Sequence, residues 1–113
     1  MSTISAELGQ RLTGAHSEAG GRFLSAPVFG RPDAAANARL FIVTAGAPED
    51  IEACETLFAA ISQRHFVVGK EPRQANIVKL CSNFMIMSVI ESMAEAMTLA
   101  EKNGVGRAEL LNV

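Results

Sequence analysis

Apolar residues recur along the chain at two spacings, which predict helices separated by short strands. A first helix is expected over residues 6–19, because Leu8 and Leu12 fall on one helical face. Ser5 stands where a side-chain oxygen can cap the start of this helix, and Gly20 with the glycine after it is expected to end it.

Three runs of β-compatible residues predict three strands. Residues 22–29 contain Pro27, which has no amide proton, so this strand is expected to be short, at an edge, or to end near Ala26. The clearest strand is predicted over residues 40–45, which are nearly all apolar or β-branched and lead into a glycine. A third short strand is predicted over residues 65–68.

The remaining apolar patterns predict helices. A short helix is expected to begin at Pro32 or Asp33, and a longer one at Pro48, because proline's fixed φ suits the first helical turn. The buried stripe of this longer helix is expected to consist of Ile51, Cys54, Leu57, Phe58 and Ile61. The dominant helix is predicted over residues 74–102, roughly 40 Å long at 1.5 Å per residue. Residues 107–113 resemble the beginning of another helix.

The composition is that of a globular protein. Of the 113 residues, 49% are apolar, 19% are charged and 5% are aromatic, which excludes disordered, collagen-like and disulfide-stabilised classes. The formal net charge is -2 and the arginines are scattered, so no nucleic-acid partner is expected.

Several features predict a soluble protein of the cytoplasm. The first twenty residues have neither a cationic start nor an apolar core, so no secretory signal is expected. Cys54 and Cys81 lie in apolar helical patterns and lack metal-ligand spacing, which is typical of reduced thiols. The longest uninterrupted apolar run, residues 84–87, is far shorter than the ~20 residues of a membrane span, so no membrane partner is predicted.

A polar stripe near the start of the long helix is the best candidate for chemistry. Asn76, Lys79 and Asn83 lie at i, i+3 and i+7, within a wedge of about 60° around the helix. The neighbours of Lys79 are apolar, which predicts a poorly solvated ammonium with a lowered pKa that can exchange protons at neutral pH. The alternative is a lysine that extends to the surface near a helix end.

Other candidate sites are weaker. Neither His16 nor His65 has a second His, Asp or Glu at ligand spacing, so each is expected to be a surface or packing residue, and no metal site is predicted. Glu91 and Glu95 stand one helical turn apart, and a solvated or interface-facing stripe accounts for them. Residues 104–109 begin like a nucleotide fingerprint but lack its third glycine and follow a helix.

Four segments resemble one enzyme family in their order along the chain. They are Ser-Thr-Ile-Ser at 2–5, Ser-Ala-Pro-Val-Phe-Gly at 25–30, Leu-Phe-Ile-Val-Thr-Ala-Gly at 40–46 and Asn-Ile-Val-Lys-Leu-Cys-Ser-Asn at 76–83. Together they resemble the middle of a β-hydroxyacid dehydrogenase, the family of 3-hydroxyisobutyrate dehydrogenase and tartronate semialdehyde reductase, related to 6-phosphogluconate dehydrogenase. The resemblance extends to the end of the chain.

This resemblance implies an α/β fold. Residues 1–72 are expected to be part of an NAD(P)-binding Rossmann-type domain, its C-terminal portion with about three strands and their helices. Residues 73–113 are expected to form a long interdomain α-helix and the start of an all-α domain. In relatives this helix lies at the subunit interface, so the resemblance also implies a homo-oligomer.

The resemblance implies roles for single residues. Lys79 matches the catalytic lysine, which is the general base toward a substrate hydroxyl in oxidation and the general acid toward a carbonyl in reduction. Asn83 matches the asparagine that hydrogen-bonds the same substrate oxygen. Thr3 matches a residue beside the nicotinamide of NAD or NADP, and Gly30 a glycine of the loop whose amides bind the substrate carboxylate. The implied function is hydride transfer between the nicotinamide and a small hydroxy acid or carbonyl compound.

Three departures from the family pattern qualify this function. Phe29 replaces a serine that binds the substrate carboxylate, so either Arg31 binds the acid instead or the pocket accepts a more apolar carbonyl compound or an imine. Residues 71–75 replace a glycine-rich run. The glycine-rich turn that seats the cofactor pyrophosphate lies upstream of Met1 in relatives, so little or no turnover is expected from this chain alone. The alternative function is a non-catalytic oligomerisation module that retains the long helix.

Overall fold

The computed structural model describes all of residues 1–113 as an α/β arrangement. This confirms the predicted fold class of three strands, their helices and a long helix. The elements in chain order are α1 Ala6–Glu18, β1 Val28–Phe29, α2 Pro32–Ala36, β2 Leu40–Ala45, α3 Pro48–Ala53, α4 Glu55–Ile61, β3 Ser62–Gly69, α5 Pro72–Lys102 and α6 Arg107–Leu111.

Helix starts follow the local signals in the sequence. The amide of Leu8 donates to the Ser5 hydroxyl at 3.1 Å, which caps α1 as predicted. Proline stands in the first turn of α2, α3 and α5. The amide of Glu71 donates to the side chain of Gln74 at 2.9 Å, one half of a capping box, so α5 begins at Pro72, slightly before the predicted start.

The sheet has the order β1-β2-β3. The edge strand β1 pairs with β2 in antiparallel direction, and β2 pairs with β3 in parallel direction. As predicted, the strand around Pro27 is short and lies at an edge. It does not end near Ala26, however, because β1 begins only after the proline, and Ser25 makes an isolated bridge to Ala45. The carbonyl of Pro27 accepts a hydrogen bond from the amide of Val43 at 3.0 Å. This bond does not require the N–H that proline lacks.

Two apolar clusters cover the two faces of the central strand. On one face Ile42 packs with Ala26 and with Phe58 of α4. On the other face Val43 and Ala45 pack with Ala75 at the start of α5. This alternation along β2 is the two-residue period of a strand buried on both sides.

The predicted second helix is divided in two. Cys54 ends α3 and precedes α4, so the apolar stripe changes phase at this residue. Phe58 is 3% exposed and Ile51 is buried, as expected, whereas Leu57 is 57% exposed. The expectation that Leu57 belongs to the buried stripe was therefore wrong.

The chain divides into two compact units, Met1–Cys81 and Ser82–Val113. The first contains the sheet, α1 to α4 and the first turns of α5. In the second, Arg107 pairs with Glu101 at 2.7 Å, which closes the turn between the end of α5 and α6. The domain boundary expected between residues 72 and 73 stays a prediction.

By length and composition alone, α5 is sufficient to cross a membrane, with a mean hydropathy of 1.4 over its most apolar window. This property is not visible in uninterrupted apolar runs, on which the expectation of no membrane partner rests. Only 6% of that window is buried. A helix with apolar residues on all sides is normally buried, either against other protein elements or in a membrane. Its length and hydropathy are the same in both cases.

Candidate functional site

Lys79 lies on the third turn of α5, within the first unit, and it is half-buried. Its ammonium nitrogen stands 3.8 Å from the centroid of the Phe29 ring, in cation–π geometry. The chain's three ion pairs are Arg22–Asp50, Arg73–Glu71 and Arg107–Glu101, so no carboxylate neutralises Lys79. Partial burial lowers the pKa of Lys79 below its ordinary value of 10.5.

Phe29 reaches Lys79 because of its position along one extended segment. Ser25, Pro27 and Phe29 alternate along this segment and therefore share a face. The ring of Phe29 also packs against the apolar cluster of β2 and α5, to which Val78 belongs. The strand thus presents the ring of Phe29 to the helix that carries Lys79.

Asn76 differs from the other members of the predicted polar stripe. It is only 1% exposed, and its Oδ1 accepts a hydrogen bond from the Ser25 hydroxyl at 3.0 Å. Lys79 is half-buried, and Asn83 is half-buried in the second unit. The three residues of this predicted stripe therefore differ either in burial or in the unit to which they belong.

Gly30 follows Phe29 at a backbone angle that glycine alone adopts readily. Its φ is +140°, and a Cβ added there would stand 2.7 Å from Cδ2 of Leu40 and 3.1 Å from Cβ of Ala34. Phe29 and Gly30 line one side of a surface cleft of about 480 Å³. Arg31, the next residue, is exposed and makes no ion pair.

The residues present fit a nicotinamide cofactor only in part. Thr3 is exposed, ahead of α1, and its hydroxyl makes no hydrogen bond within the chain. The glycines at the ends of β2 and β3, Gly46 just after β2 and Gly69 as the last residue of β3, do not form a phosphate cradle, because their open sides are filled by the chain itself. A Cβ on Gly46 would stand 2.8 Å from Cβ of Leu24, and one on Gly69 would overlap the side chain of Gln74.

The two histidines make packing contacts. Nε2 of His65 lies 2.5 Å from the hydroxyl of the buried Thr44, and its ring lies against Phe58 at 4.8 Å. His16 stacks on Phe23 at 5.3 Å. No group of three or more His, Cys, Asp or Glu side chains in residues 1–113 is placed to hold a metal ion.

The Ser25–Asn76 pair is the part of the site that sequence reasoning missed. Asn76 was expected only as a member of the stripe, and Ser25 only as the first residue of a segment resembling a family motif. Two signals were available: an amide at i−3 from the lysine, and a hydroxyl on the same strand face as Phe29. Neither signal indicates a contact between residues 51 positions apart.

The chain is similar to known proteins over its whole length. Residues 1–69 match the family model described as the NAD binding domain of 6-phosphogluconate dehydrogenase. The chain is 44% identical over all its 113 residues to an uncharacterized oxidoreductase, YfjR, of Bacillus subtilis, of which it covers 40%. It is 31% identical to glyoxylate/succinic semialdehyde reductase 1 of Arabidopsis thaliana, again over the whole chain and over 39% of that protein.

Among solved structures, the chain is similar to 3-hydroxyisobutyrate dehydrogenase of Mycobacterium tuberculosis, determined with L-serine. The TM-score is 0.92 at 24% identity, over 97% of this chain and 38% of that one. At this identity the likeness shows the fold. The chain spans about two fifths of the length of each of these three proteins.

Proposed function

The chain belongs to the family of the NAD binding domain of 6-phosphogluconate dehydrogenase, and from this premise we propose that it contributes the proton-transfer group of an NAD(P)-dependent oxidoreductase of the β-hydroxyacid dehydrogenase type. The proposed reaction interconverts a small hydroxy acid, or a related alcohol, and its carbonyl compound. The family match does not favour the alternative of a non-catalytic oligomerisation module.

Lys79 is the proposed general acid and base. The nicotinamide cofactor, when bound, supplies or accepts the hydride. In reduction the Lys79 ammonium donates a proton to the carbonyl oxygen, and in oxidation the neutral amine accepts the proton of the substrate hydroxyl. A lysine in water is protonated almost completely at neutral pH, and partial burial, which lowers the pKa of Lys79, increases the fraction of its neutral form.

The observation that carries this proposal is the environment of the Lys79 nitrogen. It stands 3.8 Å from the Phe29 ring and has no carboxylate partner. An ion pair would hold the proton on the amine and raise the pKa. An aromatic face retains the cation more weakly, about 0.5–1 kcal/mol at exposed sites, and leaves the donor free for a substrate oxygen.

The other site residues receive roles from the family resemblance. Asn83 is proposed to donate a hydrogen bond to the substrate oxygen that Lys79 protonates. The amide of Gly30 and the guanidinium of Arg31 are proposed to bind the acid end of the substrate. Thr3 is proposed to contact the nicotinamide end of NAD or NADP, with its unpaired hydroxyl as donor or acceptor.

Phe29 determines the proposed substrate class. It stands where the family pattern has a serine that binds a carboxylate, and an aromatic ring cannot accept or donate the same hydrogen bond. The acid end of the substrate is therefore proposed to bind Arg31 instead, and a more apolar carbonyl compound or an imine is the alternative substrate. Replacing Phe29 with serine is expected to shift kcat/KM toward glyoxylate and away from a cyclic imine by about tenfold.

Two further properties belong to this proposal. The exposed apolar side chains of α5 favour a homo-oligomer that uses this helix. Both cysteines are free, which agrees with a protein of the reducing cytoplasm.

Cofactor binding and turnover together test the proposed function. The chain contains neither Trp nor Tyr, so the fluorescence of added NADH or NADPH can be followed without interference from the protein. We expect a saturable change with at least one cofactor. Turnover of glyoxylate, succinic semialdehyde or a cyclic imine with that cofactor is expected to be low in this chain alone, and whatever rate wild type shows is expected to fall by about 10²–10⁴-fold in the Lys79→Ala variant.

Lys79→Arg is the matched control, because arginine keeps the positive charge and the contact with Phe29 but does not release its proton at accessible pH. It should bind the cofactor and remain as inactive as Lys79→Ala. Equal turnover of wild type and both variants would contradict the role of Lys79. Absence of saturable binding to either cofactor, together with stable self-association, would favour the oligomerisation module.

A further inference from the structure

A buried hydrogen bond joins the lysine-bearing helix to the strand segment beneath it. The Ser25 hydroxyl donates to Oδ1 of Asn76 at 3.0 Å, and both residues are buried. Asn76 is among the largest fully buried side chains of the chain. It lies one helical turn before Lys79 and on the same side of α5.

The strand side of this bond is held rigidly. Ser25 and Ala45 exchange two backbone hydrogen bonds, each of 3.1 Å, and the amide of Val43 donates to the carbonyl of Pro27 at 3.0 Å. Phe29 continues the same pairing in β1, opposite Phe41. A displacement of Ser25 along β2 would therefore displace Phe29 as well.

Two contacts thus connect one face of the strand segment to one face of the helix. Ser25 binds Asn76, and Phe29 lies beneath the ammonium of Lys79 at 3.8 Å. The side chains of the apolar cluster between the segment and α5 pack without directionality, so they tolerate rotation of the helix about its axis. A hydrogen bond has a preferred distance and angle and does not tolerate such rotation.

The third wall of the Asn76 pocket comes from α1. A Cβ on Gly9 would stand 2.6 Å from Oδ1 of Asn76, so the glycine provides the space that the amide occupies. The amide nitrogen of Asn76 is buried and has no hydrogen-bond partner. An unpaired buried donor is unfavourable, so an apolar residue of similar size would satisfy this pocket better if stability alone mattered.

We propose that Asn76, held by Ser25, is a positioning residue that sets the rotation of the first turns of α5 and so places the Lys79 ammonium on the ring of Phe29. The catalytic consequence rests on the proposed function, in which Lys79 transfers the proton. The geometric consequence does not, and it can be observed without turnover.

The test uses the ring current of Phe29. The chain has only three lysines, Lys70, Lys79 and Lys102, and the other two are exposed. In protein labelled with ¹³C-lysine, the ε-methylene protons of Lys79 are expected upfield of the other two. Lys79→Arg removes this signal and assigns it, and Phe29→Leu returns it to the position of an exposed lysine.

The positioning variants are Ser25→Ala and Asn76→Leu. Each removes the hydrogen bond, and each is expected to reduce the upfield shift of Lys79 by about half or more while the chain stays folded. Ser25→Thr keeps the hydroxyl and is expected to retain the shift. If Asn76→Leu does not fold, the comparison of Ser25→Ala with Ser25→Thr still tests whether the hydrogen bond positions Lys79.

Thr44→Val is the structural control. It removes another buried side-chain contact of the same unit, that of Thr44 with His65, and it does not touch Lys79. The proposal is overturned if Thr44→Val moves the Lys79 signal as much as Ser25→Ala does, if Ser25→Ala leaves the signal in place, or if wild-type Lys79 shows no upfield shift.

Activity measurements separate this proposal from the proposed function. If Ser25→Ala moves the Lys79 signal while Lys79→Ala retains full turnover, the positioning role stands and the acid-base role fails. If Lys79→Ala abolishes turnover while Ser25→Ala changes neither the signal nor kcat, the acid-base role stands and the positioning role fails.

Discussion

Two effects act on the charge of Lys79 in opposite directions. Partial burial removes water from the ammonium and lowers its pKa. The Phe29 ring, 3.8 Å from the nitrogen, attracts the protonated form through its quadrupole. The pKa of Lys79 is lowered by burial, so the folded chain binds this proton less tightly than the unfolded chain does.

The first prediction follows from the sign of this difference. Between the lowered pKa of Lys79 in the folded chain and its ordinary value of 10.5, the unfolded state binds more protons, so stability rises with pH. Below this window both states are protonated and the cost of burying the charge is present in full. The stability of wild type relative to Lys79→Met is therefore expected to increase from neutral pH to above 10.5.

Urea unfolding of both proteins, followed by circular dichroism at several pH values, measures this difference. The comparison with Lys79→Met cancels the titration of all other groups. A stability difference that stays constant over the whole range would show that Lys79 is as well solvated in the folded chain as in the unfolded one.

The second prediction concerns Gly30. Alanine at this position would be strained at φ +140° and would meet Leu40 and Ala34, so Gly30→Ala is expected to lower the free energy of unfolding by about 1–3 kcal/mol. Gly14→Ala is the control, because Gly14 lies within α1 and a Cβ there meets nothing within 4 Å. It should raise stability by about 0.5–1 kcal/mol. Two changes of the same sign would contradict the assigned backbone role of Gly30.

At the scale of elements, the break at Cys54 decides which side chains enter the core. A continuous helix from Pro48 would present Leu57 and Phe58 together on one broad stripe. Cys54 ends α3 with a φ of -100° and a ψ of -1°, and α4 begins after it as a separate helix. Phe58 therefore enters the cluster around Ile42, and Leu57 does not.

The third prediction measures this asymmetry. Phe58→Ala removes a ring from a closed cluster and is expected to destabilise the chain by about 3–5 kcal/mol. Leu57→Ala changes a surface side chain and should stay within about 0.5 kcal/mol of wild type. Thermal unfolding of both variants distinguishes the divided helix from the single stripe. Comparable losses in the two variants would support the single stripe.

At the scale of the whole molecule, the part of α5 in the second unit exposes an apolar surface that nothing in the chain covers. Six large apolar side chains within seven consecutive residues are exposed, so they point to all sides of the helix. They are Phe84, Met85, Ile86, Met87, Val89 and Ile90. Isolated soluble proteins rarely expose so large an apolar surface.

The fourth prediction is self-association through this part of α5. Light scattering at micromolar concentration is expected to show a dimer or larger oligomer. The double variant Phe84→Glu, Met87→Glu, at side chains that are 73% and 63% exposed, is expected to shift the population to monomer. Lys102→Glu, a charge change at the polar end of the same helix, should leave the oligomer unchanged.

A compact wild-type monomer would contradict this prediction. Flotation with lipid vesicles is a second measurement, because α5 is also long and apolar enough to cross a membrane. Recovery of the chain with the vesicles would contradict the expectation of a soluble protein without a membrane partner.

The order of the elements was determined by the sequence alone, because each element depends on contacts within a few residues. Ser5 caps α1 through the amide of Leu8, and proline begins α2 and α3 at the predicted positions. Residues 40–45 form the central strand within its predicted bounds. Lys79, too, was selected from its apolar neighbours on one helix and from a family resemblance.

Tertiary structure decided what depends on residues far apart in the chain. The sequence shows Asn76 and Lys79 at helical spacing, but the burial of one and the aromatic contact of the other depend on Ser25 and Phe29, about fifty residues earlier. In the same way Ser25 lies outside β1 and makes an isolated bridge to Ala45, a contact between residues far apart in the chain. Local periodicity determines which face a side chain occupies, and only packing between elements determines what that face meets.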